Sequence, residues 1–194
     1  MDPSLGGPGP EEVTGLLRAA EAGDRDALDR VFSVLYGELR AIAHRQLQGA
    51  PAERTLSTTA LVHEAYLKLN GVELDVSQRG PFLALAAKAM RCVLVDHARA
   101  RGASKRGGDQ ARVTLATDLV AAASDSCVDV LDIERSLQSL ETLDPRLARV
   151  VELHFYAGME FEEIAEHLGV AARTVYRDWR KARAFLLTQL GAVP

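Results

Sequence analysis

The tightest constraint on the fold lies near the C-terminus, where two helix-forming segments meet at a glycine. Phe161 to Val170 and Ala171 to Trp179 place Ile164, Leu168, Val170 and Val175 at the spacing that fills the wedge between two crossing helices. Ala165 is small where the second helix would cross the first. Gly169 can take the left-handed conformation that a tight interhelical turn requires. The pattern predicts a helix-turn-helix whose second helix exposes Arg173, Thr174, Tyr176, Arg177, Arg180 and Lys181. Those side chains can bond phosphates and base edges in a major groove. An ordinary helical hairpin would also use Ala and Gly for close packing, and the exposed basic face is what favours DNA. Ala171 stands where Ser or Thr usually caps such a helix, an omission that costs about 1 kcal/mol.

The rest of the chain also reads as helix. Apolar residues are 47% of the 194 but aromatics only 5%, so the core rests on Leu, Val, Ile and Ala. A first helix over Glu11 to Gly23 carries Val13, Leu16, Leu17 and Ala20 at helical spacing. Asp24 is the expected N-cap of a second, whose stripe of Leu28, Val31, Phe32, Leu35, Tyr36, Leu39, Ile42 and Ala43 runs on to about Leu47. A third follows Ser57 and Thr58, with Leu61, Ala65, Leu67 and Leu69 apolar, and ends at Asn70-Gly71. Gly80-Pro81 opens an apolar segment, Phe82 to Ala100, whose basic C-terminal end suits the helix dipole. Periodicity fails between about Gly102 and Asp129 and resumes from Val130. The expectation is an all-α protein of two small helical domains, 11–102 and 130–194, joined by a flexible linker at 103–129. Residues 1–10, rich in Pro and Gly, read as a disordered lead-in.

Charge sharpens this reading. The net charge is −4, yet residues 79–112 hold eight Lys/Arg against two Asp, and 172–194 hold five against one. Two basic islands in an otherwise acidic chain suggest two surfaces for polyanions, with acidic faces left for another partner; solvated helix faces are the plain alternative. Catalytic and metal-binding patterns are wanting. His63-Glu64 begins like HExxH, but Leu67 occupies the second histidine position. Asp96 and His97 are adjacent and so do not face each other on a helix. Glu152, His154, Glu162 and Glu163 read as solvated faces, and Trp179 as core. Lys105-Arg106-Gly107-Gly108 lacks the preceding strand of a phosphate loop. Cys92 and Cys127 are isolated, so neither a disulfide framework nor a zinc site is expected. No apolar run approaches the roughly 20 residues of a membrane span, and Met1 to Pro10 does not read as a signal peptide. A cytoplasmic protein without cofactor, metal or enzymatic activity is expected.

The run "LDPRLARVVELHFYAGMEFEEIAEHLGVAARTVYRDWRKARAFL" resembles domain four of the extracytoplasmic-function (ECF) group of bacterial sigma factors. "LSTTALVHEAYLKLNG" is similar to the domain-two helix that docks on the RNA polymerase clamp, and "FLALAAKAMRCVLVDHARARGASKRGG" to the segment that melts and reads the downstream promoter element. The three blocks stand in the family's order and cover nearly all of the chain after about residue 10. The resemblance implies that Leu61, Val62, His63, Glu64, Tyr66 and Leu67 lie on or near the clamp-binding face. It assigns Lys88, Arg91, Arg99, Arg101, Lys105 and Arg106 to the downstream element. Arg173, Thr174, Tyr176, Arg177, Arg180 and Lys181 would enter the upstream major groove, and 103–129 would thread near the polymerase active-site and RNA-exit channel. Many family members open the downstream-reading helix with Trp and place Asn within it, where this chain has Phe82 and Ala89. The implied partners are core RNA polymerase, promoter DNA and, as is common in the family, an anti-sigma factor. A stand-alone, dimeric helix-turn-helix regulator is the alternative, and would bind palindromic half-sites without polymerase.

Overall fold

Two helices at the N-terminus fold back on each other because a glycine and a capping aspartate separate them. The structure, a computed structural model, describes residues 9–47, 56–70, 72, 76–104, 112–113 and 128–191. Helix α1 (Pro10–Glu21) begins with Pro in its first turn, where the missing N–H has no intrahelical partner to lose. Gly23 takes a φ of 94° in the turn that follows. Asp24 then caps α2 (Arg25–Val34), its Oδ1 accepting from the N–H of Asp26 at 3.0 Å and of Ala27 at 3.2 Å.

The apolar stripe from Leu28 to Ala43 was expected to lie on one helix, but the backbone bends at Leu35 and α3 (Tyr36–Leu47) begins there. Val31 O still accepts from Leu35 N, and Leu35 O from Leu39 N, both at 2.9 Å. The hydrogen bonding therefore passes through the bend and the three-and-four spacing of core residues survives it. Helix α4 (Thr58–Leu69) starts at Ser57, whose Oγ accepts from Ala60 N at 3.1 Å. Helix α5 (Arg79–Ser104) is the longest. Leu39, Ala43, Leu61, Ala65, Phe82, Ala86 and Met90 are enclosed where α3, α4 and α5 meet. Phe82 is fully buried and packs edge-on to Phe32 with centroids 5.6 Å apart, so it is a core residue and not an open stacking face.

Within the expected linker, Arg112–Val113 and Val128–Asp129 form a two-residue antiparallel pair, Arg112 opposite Asp129 and Val113 opposite Val128. Residues 105–111 and 114–127, like residues 1–8 of the lead-in, lie outside the described residues. The second half comprises α6 (Val130–Leu143), α7 (Pro145–Val151), a π-helical turn (Glu152–Tyr156), α8 (Phe161–Leu168) and α9 (Ala172–Gln189). Asp144 caps α7 through the N–H groups of Arg146 and Leu147. Leu140, Val150, Leu153, Ile164, Val175, Ala182 and Leu186 form the centre of this half.

The two halves do not stand apart. The α5 helix packs on α6 and on the π-helical turn, α3 touches that turn too, and the apolar residues of both halves form one continuous core. Among the described residues the protein is all-α apart from the short strand pair.

Candidate nucleic-acid interface

The turn between α8 and α9 has the geometry that its glycine predicts. Gly169 sits at φ 65°, ψ 33°, and the chain reverses so that Val170 N donates to Ala165 O at 3.0 Å. That bond satisfies a carbonyl which the end of α8 would otherwise leave open. Glu163 secures the other end of α8 by accepting from Glu160 N at 2.9 Å. Of the four residues expected to fill the wedge, Ile164 and Val175 are fully buried and Leu168 and Val170 half-buried, and Ala165, small where the helices cross, is buried too. Ala171 supplies no capping side chain.

On α9, Val175, Asp178, Ala182 and Leu186 face inward. Arg173, Tyr176, Arg177, Arg180 and Lys181 are exposed and Thr174 is half-buried, so all six predicted groove residues reach solvent. Tyr176 is additionally tethered: its hydroxyl donates to Glu162 Oε1 at 3.2 Å, and its ring packs on Phe161 with centroids 4.5 Å apart. The negative charge of Glu162 raises the pKa of this phenol, with partial desolvation adding to it. Trp179 is half-buried and meets His154 edge-on at 4.7 Å, the core placement expected of it.

One partner of this helix escaped the sequence reading. Asp178 is almost wholly enclosed (1% exposed) and accepts from Arg146 Nε of α7 at 2.7 Å, while Arg177 Nε stands 3.7 Å from its other oxygen. The pair ties α9 to α7 directly beneath the exposed basic row. An acid within a basic helix is its only trace in the sequence. The partner, 32 residues earlier, carries no local signal.

The second basic island is divided by the fold. Lys88 and Arg99 are exposed on α5. Arg101 lies in the last part of α5, and Lys105 and Arg106 lie outside the described residues. Arg91 departs from the expectation of an open DNA-facing side chain. It is buried between the halves, with Nη1 2.8 Å from Glu134 Oε2 and Nη2 2.8 Å from Glu152 Oε1. Its guanidinium also lies 5.5 Å from the ring centroid of Tyr156, whose phenol pKa is raised far above its ordinary value, chiefly by burial. Glu152, read from sequence as solvated, is thus an interior partner.

The predicted clamp-facing residues also split. Leu61 and Val62 are core residues, whereas His63, Glu64 and Leu67 are exposed. Tyr66 is half-buried and donates to Asp29 Oδ1 at 2.6 Å. That hydrogen bond is the main reason its pKa is raised. Asp29, Phe32, Tyr36, Val62, His63 and Tyr66 line an open groove of about 360 Å³ between α2, α3 and α4. Among the described residues, no three His, Cys, Asp or Glu side chains gather as metal ligands would. None of the described helices is long and apolar enough to cross a membrane.

The ECF sigma factor model matches residues 10–192. The chain belongs to the ECF sigma factor family. A curated relative, the ECF RNA polymerase sigma factor SigK of Mycobacterium ulcerans (strain Agy99), is 27% identical over 178 residues, covering 89% of this chain and 90% of its own. This sigma factor therefore directs promoter recognition together with RNA polymerase, and its partners are core polymerase and promoter DNA. The family is one of transcription initiation factors, not an enzyme family. The exposed row on α9 and the groove beside α4 are two distinct surfaces of the molecule.

Proposed function

We propose that this sigma factor divides promoter recognition between its two halves, residues 11–102 acting as domain two and 130–194 as domain four. In the upstream duplex, Arg173, Thr174, Tyr176, Arg177, Arg180 and Lys181 enter the major groove as a helix-turn-helix reader. Basic contacts to phosphate set position, and one or two side chains set sequence. The observation that carries this reading is the left-handed Gly169 turn, which presents α9 with every predicted groove residue accessible to solvent.

Domain two takes the polymerase clamp through the groove beside α4 and through His63, Glu64, Tyr66 and Leu67, with Leu61 and Val62 supporting that helix from within. Leu67, half exposed, supports this because a large apolar side chain on an open helix face gains by being covered. Lys88, Arg99, Arg101, Lys105 and Arg106 meet the downstream element, and Arg91 joins them once it is free of its carboxylates. An anti-sigma protein, of the kind common in the family, would compete for the clamp groove. The factor works in the cytoplasm, adding no chemistry of its own: the polymerase supplies catalysis.

The test is capture of core polymerase by the purified chain, followed by transcription from a genomic promoter library. Selective initiation is expected with core enzyme and little DNA binding without it. Tight binding to palindromic sites without polymerase would instead support a stand-alone regulator. Arg177→Ala should cost about 1–3 kcal/mol at one promoter position if Arg177 reads guanine, whereas Arg101→Ala should weaken open-complex formation across many promoters. Unchanged transcription in both variants would overturn these assignments.

A further inference from the structure

Of the six side chains placed in the upstream groove, Arg173, Arg177, Arg180 and Lys181 can only donate hydrogen bonds. They suit phosphate oxygens and the O6 and N7 acceptors of guanine. Thr174 and Tyr176 carry hydroxyls, which ordinarily donate or accept as the partner requires and so discriminate poorly. Tyr176 departs from that ordinary case because its hydrogen is already engaged. Its hydroxyl donates to Glu162 Oε1 at 3.2 Å, and Glu162 stands exposed in the first turn of α8, 14 residues earlier. With the hydrogen held there, the phenol oxygen offers a further partner only its lone pairs. The charge of Glu162 also raises the phenol pKa, so the hydrogen is retained near neutral pH.

The ring is braced as well as the hydroxyl. Tyr176 is 46% exposed, yet its ring packs on Phe161 with centroids 4.5 Å apart. Phe161 in turn stacks on His154 at 4.3 Å, and His154 Nδ1 lies 2.9 Å from Met159 O. An exposed tyrosine held at both ends has little conformational entropy left to lose on binding, unlike the long arginine and lysine side chains around it.

In the major groove each base pair presents one exocyclic amino group, N6 of adenine or N4 of cytosine, beside the keto oxygen of thymine or guanine. An oxygen that only accepts bonds the amino group, whereas against the keto oxygen two acceptors meet and neither is satisfied. Leaving such groups unpaired in a desolvated contact is costly.

We propose that Glu162 sets base specificity in the upstream element: by taking the hydrogen of Tyr176 it makes the phenol an acceptor that selects adenine or cytosine over guanine or thymine at one position of one strand. Glu162 acts through Tyr176 and does not itself touch the base, so it is a positioning residue. The proposal rests on the reading of α9 as the helix in the upstream groove.

The test uses the full chain assembled with core polymerase and transcription from a promoter library in which the upstream element is randomised. The parent chain should favour A or C over G or T by about tenfold at one position of one strand. The bases recovered there also show which of the two amino groups is the partner. Glu162→Ala frees the hydrogen and lets the phenol donate to keto oxygens, so most of that preference should disappear while neighbouring positions keep theirs. Tyr176→Phe should abolish the preference at the same position. In the Tyr176→Phe background, Glu162→Ala should alter no base preference, because the carboxylate then has no phenol to act on. An unchanged preference in Glu162→Ala of native helix content would overturn the proposal. So would an effect of Glu162→Ala that persists in the Tyr176→Phe background, since the charge itself would then be reading the base. Should Glu162→Ala misfold, the parent and Tyr176→Phe decide: the proposal fails unless Tyr176→Phe removes a preference for amino over keto bases. A parent chain with no upstream base preference at all would sink the groove reading of α9 together with this proposal. Upstream preferences that are present but indifferent to Glu162 and Tyr176 would sink this proposal alone.

Discussion

The Arg146–Asp178 pair should respond very unequally to the removal of its two members, because its burial is lopsided. Asp178 keeps 1% of its side chain exposed, whereas Arg146 keeps 48%. Arg146→Ala strands an enclosed carboxylate, and breaking a buried pair in this way costs about 3–5 kcal/mol. Arg177, 3.7 Å from the second oxygen, can swing inward and compensate in part, which places the expected loss near the lower end, about 3 kcal/mol. Asp178→Asn keeps a neutral acceptor and leaves Arg146 free to turn to water, so only charge assistance is lost, about 1–2 kcal/mol. The double variant should be no less stable than Arg146→Ala alone, because the stranded charge is gone. With a urea m-value of roughly 2–3 kcal/mol/M, Arg146→Ala should lower the denaturation midpoint by about 1–1.5 M. The inward swing of Arg177 would also weaken upstream-element recognition in Arg146→Ala more than in Asp178→Asn, which promoter-binding assays with polymerase would reveal. If Asp178→Asn proves as damaging as Arg146→Ala in urea, differential burial does not govern this pair and the reasoning fails.

Three further outcomes are expected. Phe82→Ala empties a fully buried site against Phe32 and should cost about 3–5 kcal/mol; a loss under 1 kcal/mol in chemical denaturation would mean that the site collapses freely. Ala171→Ser supplies the missing cap of α9 and should stabilise by about 1 kcal/mol, raising the urea midpoint without altering promoter choice. The pKa of His167 is lowered from its ordinary 6.5, first by burial and then by the nearby Arg149. The unfolded chain therefore takes the proton first on acidification, and stability should fall as pH drops from about 6.5 towards the lower folded value. His167→Gln should flatten that part of the urea-midpoint profile, and an unaltered slope would assign it to other groups.

Local chemistry announced much of the architecture. Asp24 and Ser57 start helices because their side-chain oxygens accept backbone N–H groups two or three residues ahead, and Gly169 ends α8 because only a residue without Cβ enters the left-handed region cheaply. The basic row of α9 was legible for the same reason, since 3.6-residue periodicity alone separates it from Val175 and Ala182. The bend at Leu35 was invisible, because the apolar stripe keeps its spacing across it. Leu61 and Val62 could be placed on α4 but not assigned to core or surface, for that depends on which helices flank α4.

Arg91 shows where such reading stops. Its neighbours along α5 mark it as one of a basic series, and nothing within a helical turn of it distinguishes it from Lys88 or Arg99. Its carboxylate partners lie 43 and 61 residues away, on separate elements of the other half. Periodicity and capping act over about four residues, whereas the meeting of three charges depends on how whole helices pack. The composition and order of residues made the helices, the turn and the charged faces. Packing chose which of those charges face solvent and which face one another.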